Sequence, residues 1–198
     1  MRYFIDCVFS PLKQKKGYVI LLVLASIIAI VLAVFASINF SSGFLTIDLS
    51  NISYIKFLKG DTGIASMIFS TLLSLMIFFL IIWICHCKSY LVPLSIIFYL
   101  YLVYSQTIIL VSLIMIYGFF NCIILAMILF IYFLATWFLF VLSITHMSCN
   151  MREQDYFRCC CDINRSKFLV CLILIIVSTL IFSFTITILK NFIILLVY

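Results

Sequence analysis

Cys85-His86-Cys87, His146 with Cys149, and the run Cys159-Cys160-Cys161 are the side chains of this chain best suited to chemistry. Thiolate and imidazole are ligands for zinc or copper(I), and if these segments lie on one side of a membrane they could converge on a soft metal ion. Their spacing argues against it. No C-x-x-C pair occurs, and adjacent cysteines cannot readily aim at one ion. Reduced thiols acting as small hydrophobes, or as lipidation sites beside a membrane, are the competing readings, so no resident metal or cofactor is expected. Two amides form the second polar group. Gln106 lies near the middle of a long apolar run and Asn121 just inside the next. Such amides could line a permeation path, but more often they bond one helix to another.

The chemistry stops there. Gly-rich phosphate loops are absent, and no Asp, Glu, Lys, Arg or His falls inside any apolar run long enough to cross a bilayer. Proton relays, voltage sensors and carboxylate ion sites normally need such a residue, as do intramembrane aspartyl proteases. The chain is therefore not expected to be an enzyme.

The elements that carry these residues follow from charge spacing. Residues 89–151 contain no Lys, Arg, Asp or Glu, and neither do 17–47, 62–87 and 168–189. Each window exceeds the roughly 20 residues needed to cross a hydrocarbon core of about 30 Å, and the longest holds two crossings. With 68% hydrophobic and 9% charged residues, the chain is too apolar for one water-soluble core of its size. Backbone groups in lipid must pair within their own segment, so each span is a helix. The expected fold is an all-α, polytopic membrane helical bundle in one domain, 1–198. Its five transmembrane helices lie near 18–38, 65–85, 91–116, 119–145 and 168–188. The first, with its basic lead and long apolar run, reads as an uncleaved signal-anchor. A break or re-entrant hairpin near Ser105–Gln106 is left open.

Loop cations set the orientation. With the N-terminus inside, nine Lys and Arg fall on the inner side and three (Lys56, Lys59 and Lys190) on the outer side. This N-in, C-out arrangement obeys the positive-inside rule. The net charge of +6 is then explained by anionic lipid headgroups beside inner-face cations. The basic residues are scattered, so nucleic acid is not an expected partner; the lipid bilayer and other membrane or envelope proteins are.

Local signals fill in the rest. Phe4, Ile5, Val8, Phe9 and Leu12 recur at helical spacing, which predicts a short amphipathic segment before Ser10-Pro11 opens the first helix. In the first outer loop, Leu49, Ile52, Ile55 and Leu58 form an apolar row beside Ser53, Lys56 and Lys59. That row predicts a short interfacial helix capped by Ser50 or Asn51, ended by Gly60, with Asp61 capping the next helix. Sequons at Asn39 and Asn51 would face outward. Small residues repeat at every fourth position in three spans: Ala25, Ala29, Ala33 and Ser37; Ser66, Ser70 and Ser74; Thr179, Ser183 and Thr187. Such stripes allow close helix packing, within one chain or between copies in a homo-oligomer.

The layout resembles the stage II sporulation protein M family. The likeness rests on Pro11-Leu12-Lys13 ahead of the first span and on paired central spans opened by Tyr90-Leu91-Val92-Pro93-Leu94. These join near Ile116-Tyr117-Gly118-Phe119-Phe120, ahead of a basic inner loop and a last span. Family members carry glycines in the third span where this chain has Tyr101, Tyr104 and Ser105. They often carry a proline with a polar neighbour in the fourth, where it has Leu134, Ala135 and Thr136. The resemblance implies a non-enzymatic scaffold of the cell (inner or plasma) membrane that holds envelope-remodelling partners, with no catalytic residue. The alternative is a permease subunit working with a separate ATPase, its coupling helix drawn from the 146–167 loop.

Overall fold

The structure, a computed structural model, describes residues 15–39, 52–85, 91–149 and 156–197; the side chains at 121, 146–149, 156–168 and 191–197 lie outside that description. Six helices follow in order: α1 Lys16–Asn39, α2 Ser53–Lys59, α3 Ile64–Cys85, α4 Val92–Tyr117, α5 Phe119–Cys149 and α6 Tyr156–Val197. All but α2 are long and apolar enough to span a bilayer. The N-terminal amphipathic segment and the caps sought at Ser50 and Asn51 lie outside the described residues.

Each of α3, α4, α5 and α6 packs on two neighbours, in a ring that α6 closes by returning to α3. The ring is filled from within. Phe79 of α3 and Phe140 of α5, both fully buried, meet edge to face at 6.2 Å between centroids. Edge-to-face geometry sets the positive rim of one ring against the negative face of the other. Helix α1 stands outside the ring and packs chiefly on α4 through Leu22, Ser26, Ala29, Ala33 and Ser37. Ten large apolar side chains of α1, among them Ile28 and Phe35, stay exposed. In water each would cost about 1.5–3 kcal/mol relative to burial, and acyl chains remove that cost.

Breaks between helices come where the sequence supplies them. Pro93 sits in the first turn of α4, where its missing N–H is no loss. The ladder of α4 then runs unbroken through Ser105 and Gln106, with the Ser105 hydroxyl donating to Leu102 O at 3.0 Å. The segment is neither broken nor re-entrant. Gly118 alone joins α4 to α5, at φ 78° and ψ 149°, a region that side chains with a Cβ adopt only at a cost.

Two expectations need correcting. The stretch 146–167 is mostly not a loop: α5 runs on to Cys149 and α6 begins at Tyr156. It contains no Pro or Gly, so nothing stops either helix where the apolar run ends. Asp61 does not cap α3 either. The N–H of Met67 bonds to Gly63 O, which makes Gly63 the capping residue. The N–H groups of Gly60 and Asp61 bond back to Phe57 O and Lys56 O, and this closing turn of α2 uses up Asp61.

Helix α2 is wedged between α3 and α6, with Tyr54, Ile55, Phe57 and Leu58 all buried. Ser53 donates to Thr71 Oγ1 at 3.0 Å, and Thr71 already donates to Met67 O. Thr71 lies seven residues into α3, so the start of α2 sits about 10 Å along that helix at 1.5 Å per residue. Gly118→Ala should lower stability in detergent by about 1–3 kcal/mol, because no Cβ clash but only backbone conformation is at stake. Gly17→Ala, inside α1, should cost nothing. Equal thermal midpoints for the two variants would refute the strain at Gly118.

Candidate functional site

Polar atoms inside the spans are the place to look for function, since each must find a partner in hydrocarbon. Gln106 finds Trp137. The indole Nε1–H of α5 donates to Gln106 Oε1 of α4 at 2.6 Å, with both side chains buried. The bond ties two antiparallel neighbours together near mid-span. Asn121 lies in the first turn of α5, but its side chain is outside the described residues.

The helices α5 and α6, which meet along one seam, are rich in buried hydroxyls. Thr136, Ser143, Thr145, Thr179 and Ser183 are all almost fully buried. Each donates to a carbonyl of its own preceding turn: Thr136 to Tyr132 O, Ser143 to Leu139 O, Thr145 to Leu142 O, Thr179 to Ile175 O and Ser183 to Thr179 O, at 2.8–2.9 Å. With its proton so placed, Thr179 Oγ1 accepts from Tyr132 Oη across the seam at 3.5 Å, a long bond. Tyr132 also stacks on Phe182 of α6 at 4.0 Å between centroids. The outer side of this seam is an apolar groove of about 260 Å³ walled by Ile128, Ile131, Tyr132, Ala135, Ser178, Ile181, Phe182 and Thr185.

The small-residue stripes divide by use. Ala29, Ala33 and Ser37 are buried against neighbours and Ala25 is half-buried, while Ser26 beside them accepts from the Tyr99 phenol of α4 at 2.8 Å. Thr179 and Ser183 are buried in the α5–α6 seam, and Thr187 is half-buried. Ser66, Ser70 and Ser74 are all exposed. The packed face of α3 is instead built from Met67, Leu75, Phe79 and Ile82.

A third cluster holds α2. The Nζ of Lys190, from the far end of α6, donates to Phe57 O at 3.0 Å and sits 4.4 Å from the Phe57 ring centroid. One cation thus caps the end of the short helix and binds its aromatic face. Tyr54 lies edge-on to Phe182 at 5.9 Å. Its buried hydroxyl has no hydrogen-bond partner among the described residues, and burial, with Tyr132 nearby, holds its pKa well above the usual phenol range. Tyr54 is therefore a neutral group.

The sulfur and imidazole candidates do not assemble among the described residues, where no three His, Cys, Asp or Glu side chains are placed to share a metal. Cys85 is a free, buried thiol at the end of α3, as are Cys122 and Cys171 elsewhere. His86 and Cys87 lie outside the described residues. Cys159, Cys160 and Cys161 lie on the helical backbone of α6, their side chains outside the description.

Sequence reasoning overlooked Trp137, Tyr99 and the Lys190–Phe57 contact. For Trp137 a signal existed: an indole N–H in an apolar run needs a partner as much as Gln106 does. Comparison with known proteins finds no matching family model, no matching curated sequence and no matching solved structure.

Trp137→Phe should lower stability by about 1 kcal/mol, the usual scale for a polar contact between membrane helices. Gln106→Leu combined with it should cost less than the two single changes together. Strict additivity, within about 0.3 kcal/mol in a double-mutant cycle of detergent unfolding, would show that the bond contributes nothing.

Proposed function

We propose that this multi-pass membrane protein is a non-enzymatic scaffold or assembly factor of the cell membrane, inserted with its N-terminus inside and its C-terminus outside. The observation that carries the proposal is the use made of the intramembrane polar groups. Gln106, Tyr99, Tyr132, Thr136, Thr179 and Ser183 all engage a neighbouring helix or their own backbone. Groups so engaged hold a bundle rigid, which suits a protein whose task is to present surfaces. The surface it leaves outward is the Ser66, Ser70 and Ser74 face of α3, where a partner helix or a second copy could approach closely. Its partners on this reading are other membrane or envelope proteins. The resemblance to the stage II sporulation protein M family points the same way, toward envelope remodelling, but it rests on layout, Pro93 and Gly118.

A second reading has one observation of its own. The first turns of α6, Tyr156 to Lys167, are helical where a permease subunit would carry its coupling helix to a separate ATPase. A mild-detergent pull-down of the tagged protein from its native cells separates the two. Envelope hydrolases or morphogenetic membrane proteins in the eluate are the expected result, whereas an ATPase in fixed ratio would replace the scaffold by the permease. For orientation, a reporter fused after Arg152 should read cytoplasmic and one after Tyr198 external. The opposite pair of signals would reverse the insertion.

A further inference from the structure

Two neighbouring lysines of α2 and one from the far end of α6 share one corner of the bundle. Lys190 follows the charge-free run 168–189 of α6, and its ammonium is fixed on Phe57 of α2 by the 3.0 Å bond and the 4.4 Å ring contact. Lys56 and Lys59 stand either side of Phe57 in the last turn of α2, and residues three apart are neighbours on a helix surface. Lys59 is exposed and Lys56 half-buried. Among the described residues here, Asp61, in the turn that follows, sets one carboxylate against three ammoniums. An ammonium has three donors, so Lys190 keeps two beyond the one given to Phe57 O.

Like charges gathered this closely repel, and an anion placed among them would relieve that repulsion. The level of the corner says which anion. Lys190 is the first charge after the charge-free run 168–189, and Ile64 opens α3 just after Asp61, which sets the ammoniums at the level of the headgroups. Just inside that level, Ile64 is exposed and apolar. A phosphate-bearing ligand with a hydrocarbon stem satisfies both features, as lysine binds phosphate well as a point charge. We propose that the Lys56–Lys59–Lys190 corner is a binding site for an anionic phospholipid. Its phosphate lies among the ammoniums and an acyl chain runs along Ile64. The assignment needs only the membrane-spanning architecture and is independent of the scaffold reading.

Native mass spectrometry of the purified full-length protein, titrated in micelles with phosphatidylglycerol or phosphatidylcholine, tests it directly. Wild type should retain phosphatidylglycerol with about thirtyfold to hundredfold preference, the scale expected for two or three lysines near a charged headgroup. The K56Q/K59Q variant leaves the Lys190 lock intact, and it should lose most of that preference. K16Q, at the opposite end of the bundle, should keep it. Equal retention of the two lipids by wild type, or undiminished preference in K56Q/K59Q, would overturn the site. Displacement of phosphatidylglycerol by millimolar inorganic phosphate would overturn the lipid assignment in favour of a free anion.

Discussion

Hydrocarbon offers a polar atom no partner, and the rest of this structure depends on that fact. A backbone N–H in lipid must bond within its own helix, which leaves the chain few ways to cross except as continuous helices such as α4, unbroken at Ser105 and Gln106. Side chains face the same rule with more freedom. Thr136, Ser143, Thr179 and Ser183 return their protons to the preceding turn of their own helix. That choice is local and does not select a neighbour. Tyr99, Trp137 and Tyr132 are too long to do so. They reach Ser26, Gln106 and Thr179 on other helices and so specify which helices pair. Short hydroxyls let helices approach, and long donors fix who approaches whom.

Much of the fold was legible in the sequence because the charge pattern and the bilayer share a length scale. The spans read near 18–38 and 65–85 became helices Lys16–Asn39 and Ile64–Cys85. The ends were less legible where lipid and helix part company. A charge marks where hydrocarbon stops, not where a helix does, so α5 and α6 continue through 146–149 and 156–167. Gly118 could be read as a stop, because a backbone at φ 78° is glycine's own territory. The site residues were legible only as types. Spacing put Ser66, Ser70 and Ser74 on one face, just as it did Ala29, Ala33 and Ser37, yet among the described residues only the second face is covered. Periodicity identifies a face and says nothing about what meets it. The wedge of α2 was not legible at all, since Lys190 and Phe57 are joined only by tertiary packing.

The five spans are not equally held. Half of the spanning window of α5 is buried, against under a quarter for α1 and α3. For α1 this follows from its place outside the ring, where one seam of small residues and one bond from Tyr99 secure it. Small side chains bring backbones close, but each adds little area, so that seam trades breadth for proximity. For α3 the same low figure has another cause. It contributes Phe79 to the centre of the ring and carries α2 on its flank through Thr71, while its serine face is turned away. One helix lies against the outside of the ring, and the other is part of the ring with a face to spare.

That difference bears on what the bundle can do. A span outside the ring can be exchanged for a competing helix of similar shape with the Phe79–Phe140 contact intact, whereas α3 or α5 cannot leave without opening it. Any association through α3 therefore has to add to the existing fold, and any association through α1 could replace part of it. The α2 wedge tightens the first case. It ties α3 to α6 through Ser53, Phe57 and Lys190, at the end of the bundle where α6 closes the ring. A partner docking on the serine face would thus meet a helix fixed from behind, and little ordering entropy would remain to be lost on binding. On physical grounds α3 is the better docking surface, although α1 exposes the larger apolar area.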